Sequence, residues 1–283
     1  MDIVHLREWI GREERANDEI TRAPVAALAA TLDRRDPGPQ TGDPLPPLYH
    51  WLYFLPVHRQ SELAADGHAK RGGFLPPVPL PYRMWAGSRL EFLRPLRIGD
   101  RVSRVSRITD VIHKEGRTGP LVFVKVRHEI GNGEGMAVVD EHDIVYRERT
   151  GAAAMKPAPV GQIWERTIHP DDVLLFRYSA LMFNGHRIHY DRRYATEVEG
   201  YPGLVVHGPL IATLLMDLLR RNAPGVQAAR FSFRAVSPLF DTAPFTVCGK
   251  PENDAVRLWA KNAEGGLAME AECTLAANAS SRK

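Results

Sequence analysis

The stretch PLIATLLMDLLRR at 209–221 constrains the fold of this chain more than any other segment. Its apolar residues cover nearly every face of a helix, so that helix has to be buried. Four segments with strand-like alternation follow, near 227–237, 244–250, 254–262 and 266–276. Turn residues at Asn253-Asp254 and Gly265-Gly266 separate them. A buried helix followed by antiparallel strands is the pattern of a sheet wrapped around a helix.

The first half repeats the order. Residues 2–19 place Ile3, Leu6, Trp9 and Ile10 at helical spacing, which predicts an amphipathic helix. Thr21 stands where it would cap a second helix over 24–32. Residues 36–47 are dense in Pro and Gly and read as a loop. Residues 48–55 are a short apolar run, and 71–83 are Pro-rich and extended. The period then changes to strand alternation over 85–94, 101–113, 120–130 and 136–147. Turns fall at Gly99-Asp100, 116–119 and 131–135. The small residues of 150–158 mark a linker. In the second half, 169–182 suits a helix opened by Asp171 and Asp172, and 183–203 is irregular and polar.

Two α+β domains follow from this, 1–149 and 158–283, as the length of 283 residues allows. A faint internal echo supports duplication. LEFLRPLRIGDRV at 90–102 resembles FSFRAVSPLFDTAPFTV at 231–247: an aromatic strand, an Arg, a Pro, then a turn into another strand.

Charge excludes some partners. The net charge is +3, and the basic residues are scattered, as in Arg89, Arg94, Arg97, Arg101, Arg104 and Arg107. A nucleic-acid binder would concentrate them in a stripe. Here they read as a solvated strand face, or as cations that attract the phosphates of coenzyme A. Cys248 and Cys273 are far apart, which excludes a disulfide framework and a cysteine-rich zinc site. The charged start MDIVHLREWIGREER has no apolar signal core, and no stretch approaches the length of a membrane span. A cytoplasmic protein is the expectation.

Chemistry concentrates in FRYSALMFNGHRIHYDRRY at 176–194, which sets Asn184, His186, Arg187, His189, Tyr190 and Asp191 on a bend after an apolar helix. A second stretch, PGLVVHGPLIATL at 202–214, carries His207 and Gly208 to the start of the long helix. Free backbone N–H groups and the helix dipole favour negative charge there. Pro209 has no N–H to give. Each stretch alone also fits a plain structural reading, a polar connection and an ordinary helix start. Together they supply a histidine base, a carboxamide to hold water and an oxyanion-binding terminus. Water addition across an α,β-unsaturated thioester requires those groups. His186, His189 and Asp191 would also suit a metal, but Gly185 argues against the regular helix that would align them. No metal and no cofactor are expected.

NGHRIHYD followed by VVHGPL resembles the signature of the MaoC-like (R)-specific enoyl-CoA hydratase and dehydratase family, Asp-x-Asn-Pro-Ile/Leu-His and then Ile-Val-His-Gly. FLRPLRIGD is similar to that family's strand and turn. The resemblance implies a double hotdog, two antiparallel sheets each wrapping a central helix. It implies His189 as the catalytic histidine, Asn184 at the position of the catalytic Asp, and Gly208 as the oxyanion glycine. Asn184 replaces an Asp, and His186-Arg187 replaces Asn-Pro. FNGHRIHYD is similar to the subgroup of 3-hydroxyacyl-thioester dehydratases and mesaconyl-C4-CoA hydratases, in which the N-terminal hotdog is degenerate.

One active site per chain is expected, because 27–37 (ALAATLDRRDP) has no histidine motif. The first domain would shape the acyl pocket. His186, Arg187 and His207 would line the substrate, with Arg187 facing a substrate carboxylate or else an acid such as Asp191. The implied substrate is an acyl-CoA or acyl-carrier thioester, with mesaconyl-C4-CoA or itaconyl-CoA as dicarboxylic examples. A homodimer of such chains is a further expectation. A thioester-binding module without catalysis and an acyl-CoA thioesterase are the competing functions.

Overall fold

A computed structural model describes residues 1–116, 119–148 and 155–276. In chain order the elements are α1 (Ile3–Arg7), β1 (Glu13–Glu19), α2 (Arg22–Thr31), β2 (Tyr82–Phe92), β3 (Arg101–Gly116), β4 (Gly119–Asn132) and β5 (Gly135–Arg147). The second half contributes β6 (Trp164–Ile168), α3 (Asp172–Leu181), α4 (Gly208–Asn222), β7 (Ala228–Ala235), β8 (Phe245–Glu252), β9 (Ala255–Asn262) and β10 (Leu267–Leu275). Among the described residues no helix is long and apolar enough to cross a membrane.

The strands form one antiparallel sheet in the order β1-β3-β4-β5-β2-β7-β10-β9-β8-β6. Read inward from either edge, the two halves give the same order, with β6, β7, β8, β9 and β10 standing for β1, β2, β3, β4 and β5. This is the double hotdog, its two sheets joined edge to edge through β2 and β7. The sequence echo lies at that seam, where Leu90 is the register partner of Phe231. It continues into matching bridges, Pro44 to Arg97 and Val205 to Phe240.

The second sheet wraps α4, whose residues from Leu210 to Leu219 are all buried. The first sheet wraps no such helix, which corrects the expectation of a central helix in each half. Leu45 N donates to Leu96 O at 2.7 Å as Val206 N donates to Leu239 O at 2.9 Å. Counting on equally from Leu45 and Val206 reaches Tyr49 and Leu210. At that point the first half makes a single 3₁₀ turn, Tyr49–Leu52. Phe54 in the left-handed region and then Pro56 stop it from growing into a helix. The chain is thereby free to run as an irregular strap over 53–81.

Two strands escaped the sequence reading. The helix expected over 2–19 ends at Arg7. Gly11, at φ 86, turns the chain, and 13–19 becomes edge strand β1. Its charges defeat a period-based assignment, but they pair across the ladder, Glu13 with Arg107 and Glu14 with Arg104. Strand β6 was likewise too short and polar to stand out. Of the interval 150–158 read as a linker, 150–154 lies outside the described residues.

Candidate active site

The bend after α3 is built by a helix cap. Phe183 N donates to Ala180 O at 3.2 Å and Asn184 N to Ser179 O at 2.8 Å, the paired bonds of a Schellman ending. Phe183 sits at φ 47, a position that usually selects glycine, so the bend stores local strain. Asn184 Oδ1 then accepts from His186 N at 3.0 Å. The next residues close a 3₁₀ turn, Arg187–His189. Asp191 holds the far side, accepting from Tyr194 N at 3.0 Å and from the Arg187 guanidinium at 2.8 Å.

This scaffold turns His189 inward, where it is 8% exposed. Its Nδ1 lies 2.7 Å from Val205 O. A carbonyl can only accept, so Nδ1 carries the proton and Nε2 keeps its lone pair. Burial lowers the pKa of His189 to about 4, against an opposing effect of the Val205 bond. The ring stacks on His207 at 3.7 Å and 17°, and meets the His186 ring edge-on at 5.3 Å. His207 is fully buried, is held neutral by burial, and shares a 2.8 Å hydrogen bond with Ser179 Oγ through Nε2. It immediately precedes Gly208, the first residue of α4. A Cβ at Gly208 would meet Trp85 O at an ordinary 3.7 Å. Among the described residues no packing contact therefore demands glycine at that point.

The strap completes the site from the other half of the chain. Residues 64–68 make a tight turn, with Ala64 N donating to His68 O at 2.7 Å. Gly67 presses against Gly185 so closely that a Cβ would lie 1.8 Å from Gly185 O. Arg187 N donates to Asp66 O at 2.9 Å. His68 Nδ1 lies 3.1 Å from Asp66 Oδ2, and the His68 ring faces the His186 ring at 3.9 Å. Burial raises the Asp66 pKa, but the bond and charge of His68 outweigh it and hold the carboxyl below its usual range. Burial lowers His68 and, with the neighbouring histidines, takes His186 down to about 2.

The structure thus brings His186, His189, His207 and Gly208 together. Asn184 shares their bend, with one lone pair already committed to His186 N. Arg187 turns away. Its guanidinium is taken by Asp191, by Ala65 O at 3.0 Å and by the Tyr194 ring at 4.1 Å. The metal-type set of His186, His189 and Asp191 is not assembled, since Asp191 is bound to Arg187. The compact group is Asp66, His68 and His186, whose ligand atoms lie within 4.8 Å of one another. Asp66 and His68 escaped the sequence reading. Nothing local in the sequence marks them, and their contact with 184–187 crosses between halves.

The scattered arginines are largely engaged with the protein. Arg89 pairs with Asp143, Arg94 with Glu134, Arg104 with Glu14 and Arg107 with Glu13, while Arg97 donates to Gly42 O. Two surface recesses, one beside Ile20 and Ala26 and one beside Arg34 and Arg220, do not reach His189.

Residues 48–241 match the hydroxyacyl-thioester dehydratase type 2 family. The chain is 49% identical over 272 residues to mesaconyl-C(4)-CoA hydratase of Chloroflexus aurantiacus, covering 94% of this chain and 96% of the relative. It is 29% identical over 267 residues to the mitochondrial hydroxyacyl-thioester dehydratase type 2 of Schizosaccharomyces pombe, covering 82% and 88%. Its fold resembles a Mycobacterium tuberculosis protein described as a double hotdog, with TM-score 0.57, 14% identity, and 94% and 96% coverage.

Proposed function

The chain belongs to the hydroxyacyl-thioester dehydratase type 2 family, and from that premise we propose that it hydrates a short, carboxylated α,β-unsaturated acyl-CoA such as mesaconyl-C4-CoA, and catalyses the reverse dehydration. It is a hydro-lyase of acyl thioesters. The observation that carries the site assignment is His189: buried, pinned at Nδ1 by Val205 O, stacked on His207 at the start of α4, and with no hydrogen-bond partner for Nε2 among the described residues.

In the hydration direction Nε2 takes a proton from water as the water oxygen bonds to the β-carbon. The π electrons move to the α-carbon and the thioester oxygen. Gly208 N–H holds that developing oxyanion, aided by the helix terminus. The imidazolium then returns its proton to the α-carbon. The sum is one water added and an unchanged enzyme.

Asn184 steadies the water with its remaining side-chain hydrogen-bonding groups. His207 supports the His189 ring from below. The lack of any packing demand for glycine at 208 supports a site kept open for close backbone approach by substrate. Arg187 serves as a brace between the bend and the strap, through Asp191 and Ala65 O, the acid-paired one of its two sequence readings.

The proposal takes 1–149 as the degenerate hotdog that shapes the acyl pocket and 158–283 as the catalytic one. It also takes coenzyme A as the carrier, a homodimer as the assembly, and the cytoplasm as the location. Two free, buried cysteines support a reducing compartment.

The test is loss of the enoyl-thioester absorbance with mesaconyl-C4-CoA, itaconyl-CoA and crotonyl-CoA. Wild type should consume at least one of them, and His189→Ala should lose roughly 10²–10⁴ in kcat. Undiminished turnover by His189→Ala would remove His189 as the base.

A further inference from the structure

We propose that Asp66, His68 and His186 form a carboxylate-binding subsite that reads the free carboxylate of the acyl chain, with the strap of the first half supplying two of its three residues. The inference rests on the hydratase reading above and assigns that site its substrate class.

Position is the first argument. In a mesaconyl-type thioester the carbon attacked by water also bears the carboxylate. That carboxylate must therefore lie beside the catalytic base. Beside His189 lies the His186 ring, edge-on at 5.3 Å, and the His68 ring faces that of His186 at 3.9 Å. A plain acyl chain would leave these polar rings buried against a methyl group, an unfavourable placement.

Hydrogen-bonding capacity is the second. Asp66 takes the Nδ1–H of His68, so His68 Nε2, which has no hydrogen-bond partner among the described residues, bears a lone pair and donates to a carboxylate once the ring gains a proton, Asp66 then holding the imidazolium at Nδ1. Among the described residues neither ring nitrogen of His186 has a hydrogen-bond partner. Both imidazoles are held neutral mainly by burial, and the positive charge of Arg83 adds to that effect on each. An incoming carboxylate supplies the missing acceptor for an N–H donor, and it favours a proton on either ring. Arg187, the cation nearest in sequence, is already bound to Asp191.

Construction is the third. The turn that carries Asp66 and His68 is held to the catalytic bend through backbone contacts, Arg187 N to Asp66 O and Gly67 against Gly185. Such contacts fix the backbone that carries Asp66 and His68 relative to the bend that carries His189, and the Asp66 bond orients the His68 ring. The same three residues offer atoms suited to a divalent cation. However, the His68 and His186 rings lie face to face, 37° from parallel, and Asp66 already satisfies His68. That geometry favours a ligand that accepts hydrogen bonds over one that needs three converging lone pairs.

The test is calorimetric titration of the full chain with succinyl-CoA and butyryl-CoA, which differ in a carboxylate for a methyl and cannot be hydrated. Wild type should prefer succinyl-CoA by roughly tenfold or more, the effect of a charged hydrogen bond. His68→Phe keeps a ring to stack on His186 and should bring the preference below about twofold. Asp66→Asn, a milder change to the turn, should reduce it by roughly threefold to fivefold.

Equal wild-type affinities, or an undiminished preference in both variants, would overturn the subsite. A preference lost on chelation and restored by zinc would reassign the three residues to a metal and overturn direct imidazole contact. Because no turnover is needed, the two proposals can fail separately. A wild type that hydrates no thioester but prefers succinyl-CoA sinks the hydratase alone. A wild type that hydrates crotonyl-CoA and binds both saturated thioesters equally sinks the subsite alone.

Discussion

Two bends at equivalent places, 33–39 and 183–189, have taken opposite chemistry. Helix α2 ends as α3 does: Asp33 N donates to Ala30 O and Arg34 N to Ala29 O, with Asp33 at φ 57. Arg34 therefore occupies the place of Asn184, Asp36 that of His186 and Pro39 that of His189. In the second half the bend faces the start of α4 and carries the neutral rings of His186 and His189. In the first half it faces the other end of the same helix. There Arg34 donates to the buried Asp217 at 2.6 Å, alongside Arg166 at 3.1 Å and Arg221 at 2.7 Å. The same backbone device presents buried histidine rings at one end of α4 and a permanent ion cluster at the other. The half that lost its helix became a clamp, and its freed strap serves the site of its twin.

The largest effect expected from breaking this contrast is at Asp217. It is 1% exposed and is the carboxylate that three arginines share. Asp217→Ala leaves those cations facing one another and should cost about 3–5 kcal/mol in urea unfolding. Asn184→Ala removes a neutral bond to His186 N and should cost about 1 kcal/mol. Equal costs would mean that the first bend is not a clamp.

The next effect is acid sensitivity, which should belong to the histidine bend. An unfolded histidine titrates near 6.5, and folded His189 is lowered to about 4, chiefly by burial. Between those values the unfolded chain binds a proton that the folded chain refuses, so stability falls as pH drops. At pH 7 the penalty is nearly absent. At pH 4.5 His189 alone should cost about 2–3 kcal/mol relative to pH 7. His189→Gln should remove that increment. Arg34→Met, in the other bend, should leave the pH slope as it was. A wild-type stability flat from pH 7 to 4.5 would contradict a buried neutral His189.

What the sequence made legible follows the same division. Helix α4 and eight strands showed because burial imposes a period on apolar residues. His189 and Gly208 could be proposed from sequence because they sit in compact motifs on each side of one loop, and the structure brings those motifs together. Strand β1 was hidden because an edge strand with cross-strand ion pairs has no apolar face. Asp66 and His68 were hidden because nothing local marks them. Their meaning comes from the lost helix, which lets 53–81 cross to the other half, and a single sequence carries no sign of that crossing. For Arg187 the sequence left a substrate carboxylate and Asp191 open as partners, and the structure pairs it with Asp191 at helical spacing, i and i+4.

The smallest effect separates the two caps themselves. Both Asp33 and Phe183 adopt the left-handed backbone. An Asp tolerates it through local hydrogen bonding, whereas a Phe bears the full clash of its Cβ with the following carbonyl, about 1–2 kcal/mol. Glycine relieves that clash but makes the unfolded chain more flexible, which offsets part of the gain. Phe183→Gly should therefore stabilise the protein by about 0.5–1 kcal/mol, helped by the 53% exposure of the side chain, which gives up little packing. Asp33→Gly should change stability by less than about 0.5 kcal/mol. The measurement is a pair of urea midpoints at constant m-value. Stabilisation at 183 with none at 33 would place the retained strain in the bend that carries the histidines. Equal gains would mean that the strain is a property of the duplicated cap and owes nothing to the site.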